Sequence, residues 1–211
     1  MVASAIGTSA TMRLRLPVMR VLVACEQSGT VRDAFRRRGH NAWSCDILPD
    51  ANGSPFHYQQ DVTPLLEYEW DLMIAHPPCT DLAVSGAKHF HRKAKEQEEG
   101  LAFVAKLAAA PNVHRICIEN PVSIISTRLG PPDQIIQPWQ FGDEAQKTTC
   151  LWLHWLPPLI PTSIVDKGEF WISPDGKKRM PKWMSDNTSP KHRSKTFQGI
   201  ADAMADQWGI W

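Results

Sequence analysis

Residues 20–39 read RVLVACEQSGTVRDAFRRRG and join an apolar run to a helical pattern through a loop with one glycine. The Val- and Leu-rich run 20–26 predicts a buried strand, and 30–38 predicts a helix that Gly39 is placed to end. This helix would hold its arginines in solvent and turn inward Val31, Ala34 and Phe35. A buried strand that leads through a short loop into a helix is the first unit of a parallel α/β sheet.

The same alternation continues to the end of the chain. Further strands are predicted at 41–47, 71–75, 113–118 and 148–154, and further helices at 93–110 and 196–208. The predicted inward faces of these helices are Leu101, Val104, Ala105 and Leu107 in the first and Ile200, Ala203, Met204 and Gln207 in the second. The order of elements predicts a doubly wound, Rossmann-like α/β fold.

Length and charge set the broad class of the protein. A chain of 211 residues suffices for one domain with an ample core, which we place at 20–211. Residues 1–19 have basic residues, no acid and no secretory apolar core, so they are predicted to be a leader or a disordered segment. The formal net charge of +1 excludes no partner by itself, and no apolar run approaches the ~20 residues that span a bilayer. We therefore expect a cytoplasmic monomer that does not bind membranes.

The cysteines argue for a reducing compartment. They are five in number and none forms a CxxC pair, which argues against a disulfide scaffold and a zinc site, and no metal is predicted. Four of them lie in apolar stretches and are expected to be small buried hydrophobes: Cys25, Cys45, Cys117 and Cys150. Cys79 differs because two prolines precede it and polar residues follow it.

The loop after the first strand is a candidate ligand site. In a doubly wound sheet a nucleotide-like ligand lies over the strand carboxyl ends and the N-terminus of a helix, which is where 25–30 falls. Asp46 ends the second strand, where an acid commonly binds a ribose hydroxyl, and Asp61 lies where a contact with an adenine edge is expected. Each acid taken alone is equally well explained as a helix cap or a surface charge.

The segment AHPPCTD, residues 75–81, carries the sharpest chemical signal. It follows a buried strand directly, so Cys79 is expected to project from the carboxyl edge of the sheet with its direction fixed by the two prolines. A thiol with an ordinary pKa near ~8.5 is a modest nucleophile until a neighbouring charge favours the thiolate. Residues 82–92 have the composition of a mobile lid over the substrate. The structural alternative is a Pro-Pro loop with an inert cysteine.

The segment ENP, residues 119–121, also follows a buried strand. Glu119 would then stand beside Cys79 at the same edge of the sheet, with Asn120 and Pro121 holding it in place. Attack by a thiol on a pyrimidine ring requires the ring to be electrophilic, and a carboxyl group that shares a proton with the ring nitrogen makes it so. The alternative is a structural acid at a strand end.

The segment 166–195 is rich in Gly, Pro, Ser, Asp and Asn and shows little apolar periodicity. Its second half is basic, and Trp171 and Trp183 are interleaved with the cations. Such a segment could contact a nucleic-acid backbone and stack on bases. A solvated surface loop is the alternative interpretation.

Together these motifs resemble the cytosine-5 DNA methyltransferase family, in a reduced form over roughly residues 20–208. HPPC resembles the family's Pro-Cys nucleophile motif, and TDLAVSG is similar to the stretch that follows it. ENP is similar to the Glu-Asn-Val motif, QKTTCLWLH from Gln146 to the Gln-x-Arg-x-Arg segment, and TFQGIADAMADQW to the last motif. The short segment 166–195 occupies the place of a large target-recognition domain, as in small phage-encoded versions.

The resemblance implies a fold, a reaction and a set of site residues. The fold would be the Rossmann-like S-adenosylmethionine-dependent methyltransferase fold, with S-adenosylmethionine or a modified sulfonium relative as cofactor and DNA as substrate. Cys79 would add to C6 of cytosine, Glu119 would assist at N3, and C5 would then be alkylated. The cofactor would be bound by Cys25, Glu26, Ser28, Gly29, Asp46, Asp61, His76 and Pro77. The substrate would be bound by Pro78, Asn120, Gln146, Lys147, Lys177, Lys178 and Arg179. A phage origin would place the protein in the bacterial host cytoplasm.

Two other functions stay open at this point. A C5 transferase that acts on free deoxycytidine nucleotides would fit the short recognition segment. An inactive nucleic-acid-binding protein could retain the same fold, although the presence of both Cys79 and Glu119 argues against it. Enzymes that methylate the amino group of adenine resemble the chain at Pro-Pro but need an aromatic residue where Cys79 stands.

Overall fold

A computed structural model describes residues 17–84, 93–186, 189 and 193–210 of the chain. The strands are β1 (Arg20–Ala24), β2 (Asn41–Asp46), β3 (His57–Gln59), β4 (Leu72–Ala75), β5 (Ile116–Asn120), β6 (Gln134–Ile136), β7 (Thr149–His154), β8 (Phe170–Ile172) and β9 (Arg179–Pro181). The helices are α1 (Thr30–Arg37), α2 (Ala94–Ala108), α3 (Ile125–Arg128), α4 (Lys182–Asp186) and α5 (Gln198–Trp208). Short 3₁₀ helices occupy Thr63–Glu67 and Pro138–Gln140.

Seven strands form one mixed, mostly parallel sheet in the order β3-β2-β1-β4-β5-β7-β6. The five strands from β3 to β5 are parallel, which confirms the predicted α/β class. The predicted strand near 148–154 is present, but β7 runs antiparallel to both β5 and β6. Because β6 and β7 are joined without a long crossover helix, they pair as antiparallel neighbours. The short edge strands β3 and β6 were not predicted.

Helices cover both faces of the sheet, as expected for a sheet with buried, continuously apolar strands. On one face, α1 and α5 pack on alternate residues of β1 and β4 such as Val21, Val23 and Ile74. On the other face, α2 and the first 3₁₀ helix pack on the intervening residues such as Leu22 and Met73. Leu101, Val104 and Leu107 are buried as predicted. Ala105, also predicted to face inward, is exposed, because the buried face of α2 is narrower than the predicted one.

The arginines of α1 do not all lie in solvent, contrary to the expectation. Arg37 and Arg38 are partly exposed and pair with Asp202 and Asp206 of α5, which ties the two helices together. Arg32 is fully buried, with a 2.5 Å contact from its Nη1 to Oδ2 of Asp50. Arg32 also pairs with the adjacent Asp33, but its buried partner comes from the loop after β2, which helical periodicity alone could not identify.

The segment 166–195 has more structure than its composition predicted. Strands β8 and β9 form a two-stranded antiparallel hairpin, and α4 follows it directly. The turn between the strands includes Gly176 at φ +68°, a left-handed conformation that glycine adopts without strain.

The arrangement of β1 and β4 determines where a ligand can bind. From β1 the chain proceeds to β2 on one side, and from β4 it proceeds to β5 on the other. A crevice opens at such a switch point, outside the carboxyl ends of the two strands. No helix in the described ranges is long and apolar enough to cross a membrane.

Candidate active site

The register of the parallel strands brings three candidate site residues into one row. Ala24 of β1 lies beside Ala75 of β4, which lies beside Ile118 of β5. The next residue along each strand direction is Cys25, His76 and Glu119, respectively. The first loop, the HPPC motif and the ENP motif therefore meet at the carboxyl edge of the sheet.

Glu119 and His76 form a largely buried, hydrogen-bonded pair. The Nδ1 atom of His76 lies 2.9 Å from Oε2 of Glu119, and their side chains are only 13% and 12% exposed. Burial raises the pKa of Glu119, but the hydrogen bond and charge of His76, with a contribution from Lys147, outweigh it and hold that pKa below its usual value. Nε2 of His76 is buried and has no hydrogen-bond partner among the described residues.

Asn120 fixes the turn that carries the thiol. Its Nδ2 donates to the carbonyl of Pro77 at 2.9 Å, and the backbone N–H of His76 donates to the carbonyl of Ala24 at the same distance. Pro77 is buried and Pro78 is exposed, so the turn leaves the sheet between them. These bonds connect β5, β4 and β1 beneath the HPPC motif.

Cys79 is half-buried at the carboxyl edge of the sheet, and the charge of Glu119 acts on its thiol. Burial and the charge of Glu119 raise the pKa of the thiol, while the charge of Lys147 opposes this shift. The structure thus brings Cys79, Glu119 and Lys147 together, but it leaves Cys79 as a protonated thiol at neutral pH. A thiolate there requires further positive charge from a ligand or a proton acceptor.

The loop before β7 is held by the chain near α4 and α5. The Lys147 ammonium donates to the carbonyl of Lys195 at 3.1 Å, and the indole N–H of Trp183 donates to the carbonyl of Gln146 at 3.0 Å. Trp183 also packs edge-on against Phe197, with ring centroids 5.2 Å apart. These contacts occupy one edge of the half-buried Trp183 ring, and its stacking on bases stays a prediction.

The first loop is organised by Glu26, which is 4% exposed. Its carboxylate accepts hydrogen bonds from the backbone N–H groups of Val31 and Arg32, at 2.7 and 3.2 Å, and from the hydroxyl of Ser28. It thereby caps the N-terminus of α1. Burial raises the pKa of Glu26, and the charge of His76 is the largest opposing influence.

Gly29 is required in this loop by its own backbone and by Arg32. Its φ is +71°, and a Cβ added there would lie 2.2 Å from Nη2 of Arg32. The loop is further held by Ala51 and Asn52, which donate to the carbonyls of Gln27 and Ser28. The buried Arg32 pair and these two residues support the loop, and sequence reasoning missed all of them.

Cys25, Asp46 and Asp61 lie together at the end of β1, β2 and β3. Burial raises the pKa of Cys25 to about 12, and the charges of Asp46 and Asp61 add to this effect. Cys25 has φ +58°, an uncommon conformation for a residue other than glycine, next to the crevice. The carboxylates accept hydrogen bonds from the backbone of the loops they begin, Asp46 from Leu48 and Asp61 from Thr63.

The basic residues of the hairpin are exposed. Lys177, Lys178 and Arg179 lie in the turn and at the start of β9, and the guanidinium of Arg179 lies 3.8 Å from the ring centroid of Phe170. Trp171 is 39% exposed beside them. Part of the predicted lid, 85–92, lies outside the described residues.

Comparisons with known proteins add little to this geometry. No protein-family model matches the chain, and no curated protein matches it. Among solved structures, the 16S rRNA methylase RmtB is similar at 18% sequence identity and a TM-score of 0.35. The match covers 64% of this chain and 54% of that one, so it spans about half the length of the methylase.

Proposed function

We propose that this protein is an S-adenosylmethionine-dependent transferase that alkylates C5 of cytosine in DNA through a covalent adduct with Cys79. The observation that carries the proposal is the placement of a cysteine and a carboxylate, Cys79 and Glu119, at the same edge of neighbouring parallel strands. A thiol and an acid in this arrangement supply the two functions that addition to a pyrimidine ring requires.

The residues present fit the cofactor. The carboxyl ends of β1 and β4 are flanked by the N-terminus of α1, whose first N–H groups bond to Glu26, and by His76. Ser28, Asp46 and Asp61 would hold the polar parts of the molecule, with Cys25 and Gly29 lining its path. S-Adenosylmethionine supplies an electrophilic methyl group when it is bound.

The chain's own residues would perform the remaining chemistry. The thiol of Cys79 loses its proton to solvent, and Sγ forms a bond to C6 of the cytosine. The electron pair of the C5–C6 double bond moves to C5, while the Glu119 carboxyl, which takes up a proton when the base binds, shares that proton with N3. C5 then takes the methyl group, whose bond to the sulfonium sulfur breaks and leaves a neutral thioether. Loss of the C5 proton to solvent restores the double bond, breaks the S–C6 bond and releases Cys79.

Access to the base requires contact with the polymer. A cytosine in duplex DNA must leave the base stack, which costs a few kcal/mol and is least costly in single strands. The exposed cations at 177–179 and the ring of Trp171 would bind the backbone and a neighbouring base. Because the segment 166–195 contains only a two-stranded hairpin, we expect the protein to recognise a short target sequence or to have relaxed specificity.

The small hairpin also favours a second candidate, a C5 transferase for free deoxycytidine nucleotides. The two are separated by incubating the protein with isotope-labelled S-adenosylmethionine and either duplex DNA, single-stranded DNA or dCMP, followed by mass spectrometry of the nucleosides. Labelled 5-methylcytosine from DNA supports the proposal, and label in dCMP alone supports the second candidate. Absence of product from every substrate, with calorimetric binding of the cofactor intact, would refute methyl transfer and leave a nucleic-acid-binding protein or a modified sulfonium donor.

A further inference from the structure

His76 occupies a position that the proposed reaction has not yet used. It lies in the row between Cys25 and Glu119, and its backbone is fixed to β1 by the bond to the carbonyl of Ala24. Its Nδ1 must be the donor in the 2.9 Å contact, because an ionised carboxylate offers only acceptor atoms. The imidazole and the carboxylate come from neighbouring strands, so both ends of the bond are rigidly supported.

This bond leaves the two oxygens of Glu119 in different situations. Oε2 is occupied by His76, whereas Oε1 has no hydrogen-bond donor among the described residues. The carboxylate cannot rotate without breaking a charge-assisted hydrogen bond, which is of the stronger class in proteins. One oxygen is thus held and the other is available to a substrate.

We propose that His76 is a positioning residue for Glu119, whose Oε2 it holds through Nδ1 so that Oε1 is presented to N3 of the pyrimidine. The inference rests on the proposed function, since it assigns Glu119 the role of contacting the ring. His76 does not touch the reacting atoms of the base in this account. It acts by fixing the direction of the residue that does.

The charges around His76 support this role. Glu26 faces it from the loop after β1, Glu119 from β5, and Lys147 acts on Glu119 from the loop before β7. The charge of His76 lowers the pKa of both carboxyls, against the effect of burial. Removing the imidazole therefore changes the titration of Glu119 as well as its geometry.

Two substitutions separate geometry from charge. His76→Asn retains an N–H donor near the position of Nδ1 but has no ionisable ring, whereas His76→Ala removes both. His154→Asn is the matched control, because His154 is exposed at the far end of β7. Two readouts are made on each variant: the titration of the Glu119 carboxyl, followed by carbon-13 NMR of the free protein, and the rate of covalent adduct formation with 5-fluorocytosine DNA.

In His76→Asn and His76→Ala, the Glu119 titration should move upward in pH, with no change in His154→Asn. Adduct formation should slow by about 10²-fold in His76→Ala, the order expected when a reacting group is misplaced by about 1 Å. His76→Asn should recover most of that rate, with a changed pH profile and unchanged affinity for DNA.

An unchanged Glu119 titration in both His76 variants, or an adduct rate in His76→Ala equal to that of His154→Asn, would overturn the inference. If the wild-type protein forms no adduct, the proposed function fails by itself, and the titration alone then decides whether His76 controls Glu119. His76→Asn is close in volume to the native residue, so a folding defect in His76→Ala does not remove the test.

Discussion

Replacing Arg32 by methionine measures what the buried ion pair beneath the first loop contributes to stability. The guanidinium is fully buried and contacts Asp50, whose own side chain is 3% exposed. Methionine fills much of the same space but leaves the Asp50 carboxylate in the interior without its counter-charge. Breaking a buried pair in this way costs about 3–5 kcal/mol, a large part of the ~5–15 kcal/mol that stabilises a typical domain.

Urea denaturation followed by tryptophan fluorescence provides the assay, with Arg37→Met as the matched control. Arg37 lies on the same helix, is 52% exposed and pairs with Asp202 on the surface, so its loss should change stability by at most about 1 kcal/mol. Adding Asp50→Asn to Arg32→Met should restore a substantial part of the stability, because the stranded charge is removed.

The contribution of the Asp50 carboxylate to the free energy of unfolding depends on pH. Burial raises the pKa of Asp50, but hydrogen bonds from Ser54, Arg32 and Asn52 outweigh this effect and hold that pKa below its usual value. The stability that Asp50 provides in the wild type is therefore present above the unfolded-state pKa and is lost as the pH falls through the folded-state pKa. In Arg32→Met the carboxyl protonates more readily, so the difference between variant and wild type should narrow in acid. Equal losses for Arg32→Met and Arg37→Met at neutral pH would refute the reasoning.

Three further predictions concern the site. Glu119→Gln should slow adduct formation with 5-fluorocytosine DNA by about 10²–10⁴-fold, the usual contribution of a general acid or base, and a near-normal rate would remove Glu119 from the reaction. Replacing the three cations at 177–179 by alanine should weaken DNA binding and reduce the slope of log Kd against log salt concentration by up to about 2.7. An unchanged slope would show that these three residues do not contact DNA phosphates. The adduct rate should increase with pH beyond neutrality, because burial and the charge of Glu119 raise the pKa of Cys79. Lys147→Met should move this increase to still higher pH in stopped-flow measurements, because the charge of Lys147 lowers that pKa. A rate that is constant above pH 7, or a pH profile that is unchanged in Lys147→Met, would contradict this account of the Cys79 pKa.

The parallel core and the meeting of two motifs were predictable because both are local properties of strands. Apolar runs identify β1, β4 and β5; Cys79 lies in the loop that leaves β4, and Glu119 lies one residue before the end of β5. Residues that leave neighbouring parallel strands must emerge at one edge. The same logic could have placed His76 beside Glu119, since His76 directly follows β4 and Glu119 lies at the carboxyl end of β5.

The direction of β7 and the burial of Arg32 could not be predicted in this way. The orientation of β7 depends on the short β6 and its connection, and β6 has too few residues to show periodicity. Arg32 pairs with the adjacent Asp33 and with the buried Asp50, which lies 18 residues away in a loop, and the second pairing leaves no helical or strand pattern. Both features arise from tertiary contacts rather than from local preference.

The hairpin was missed for a different reason. Its strands are only three residues each, and all three residues of β8 are apolar, so no alternation of apolar and polar residues appears. A signal was nevertheless present, because Ser173-Pro174-Asp175-Gly176 has the composition of a tight turn between two short runs. The sequence therefore supported a hairpin at 170–181.

The most direct test of the central claim is to trap and map the covalent intermediate. The protein is incubated with S-adenosylmethionine and DNA that contains 5-fluorocytosine, whose C5 fluorine cannot leave as a proton does, and the product is analysed by intact mass and peptide mapping. We predict an adduct on Cys79 that disappears in Cys79→Ala, while that variant binds the cofactor with nearly unchanged affinity. An adduct on another residue, or normal methylation of DNA by Cys79→Ala, would contradict the assignment of Cys79 as the nucleophile.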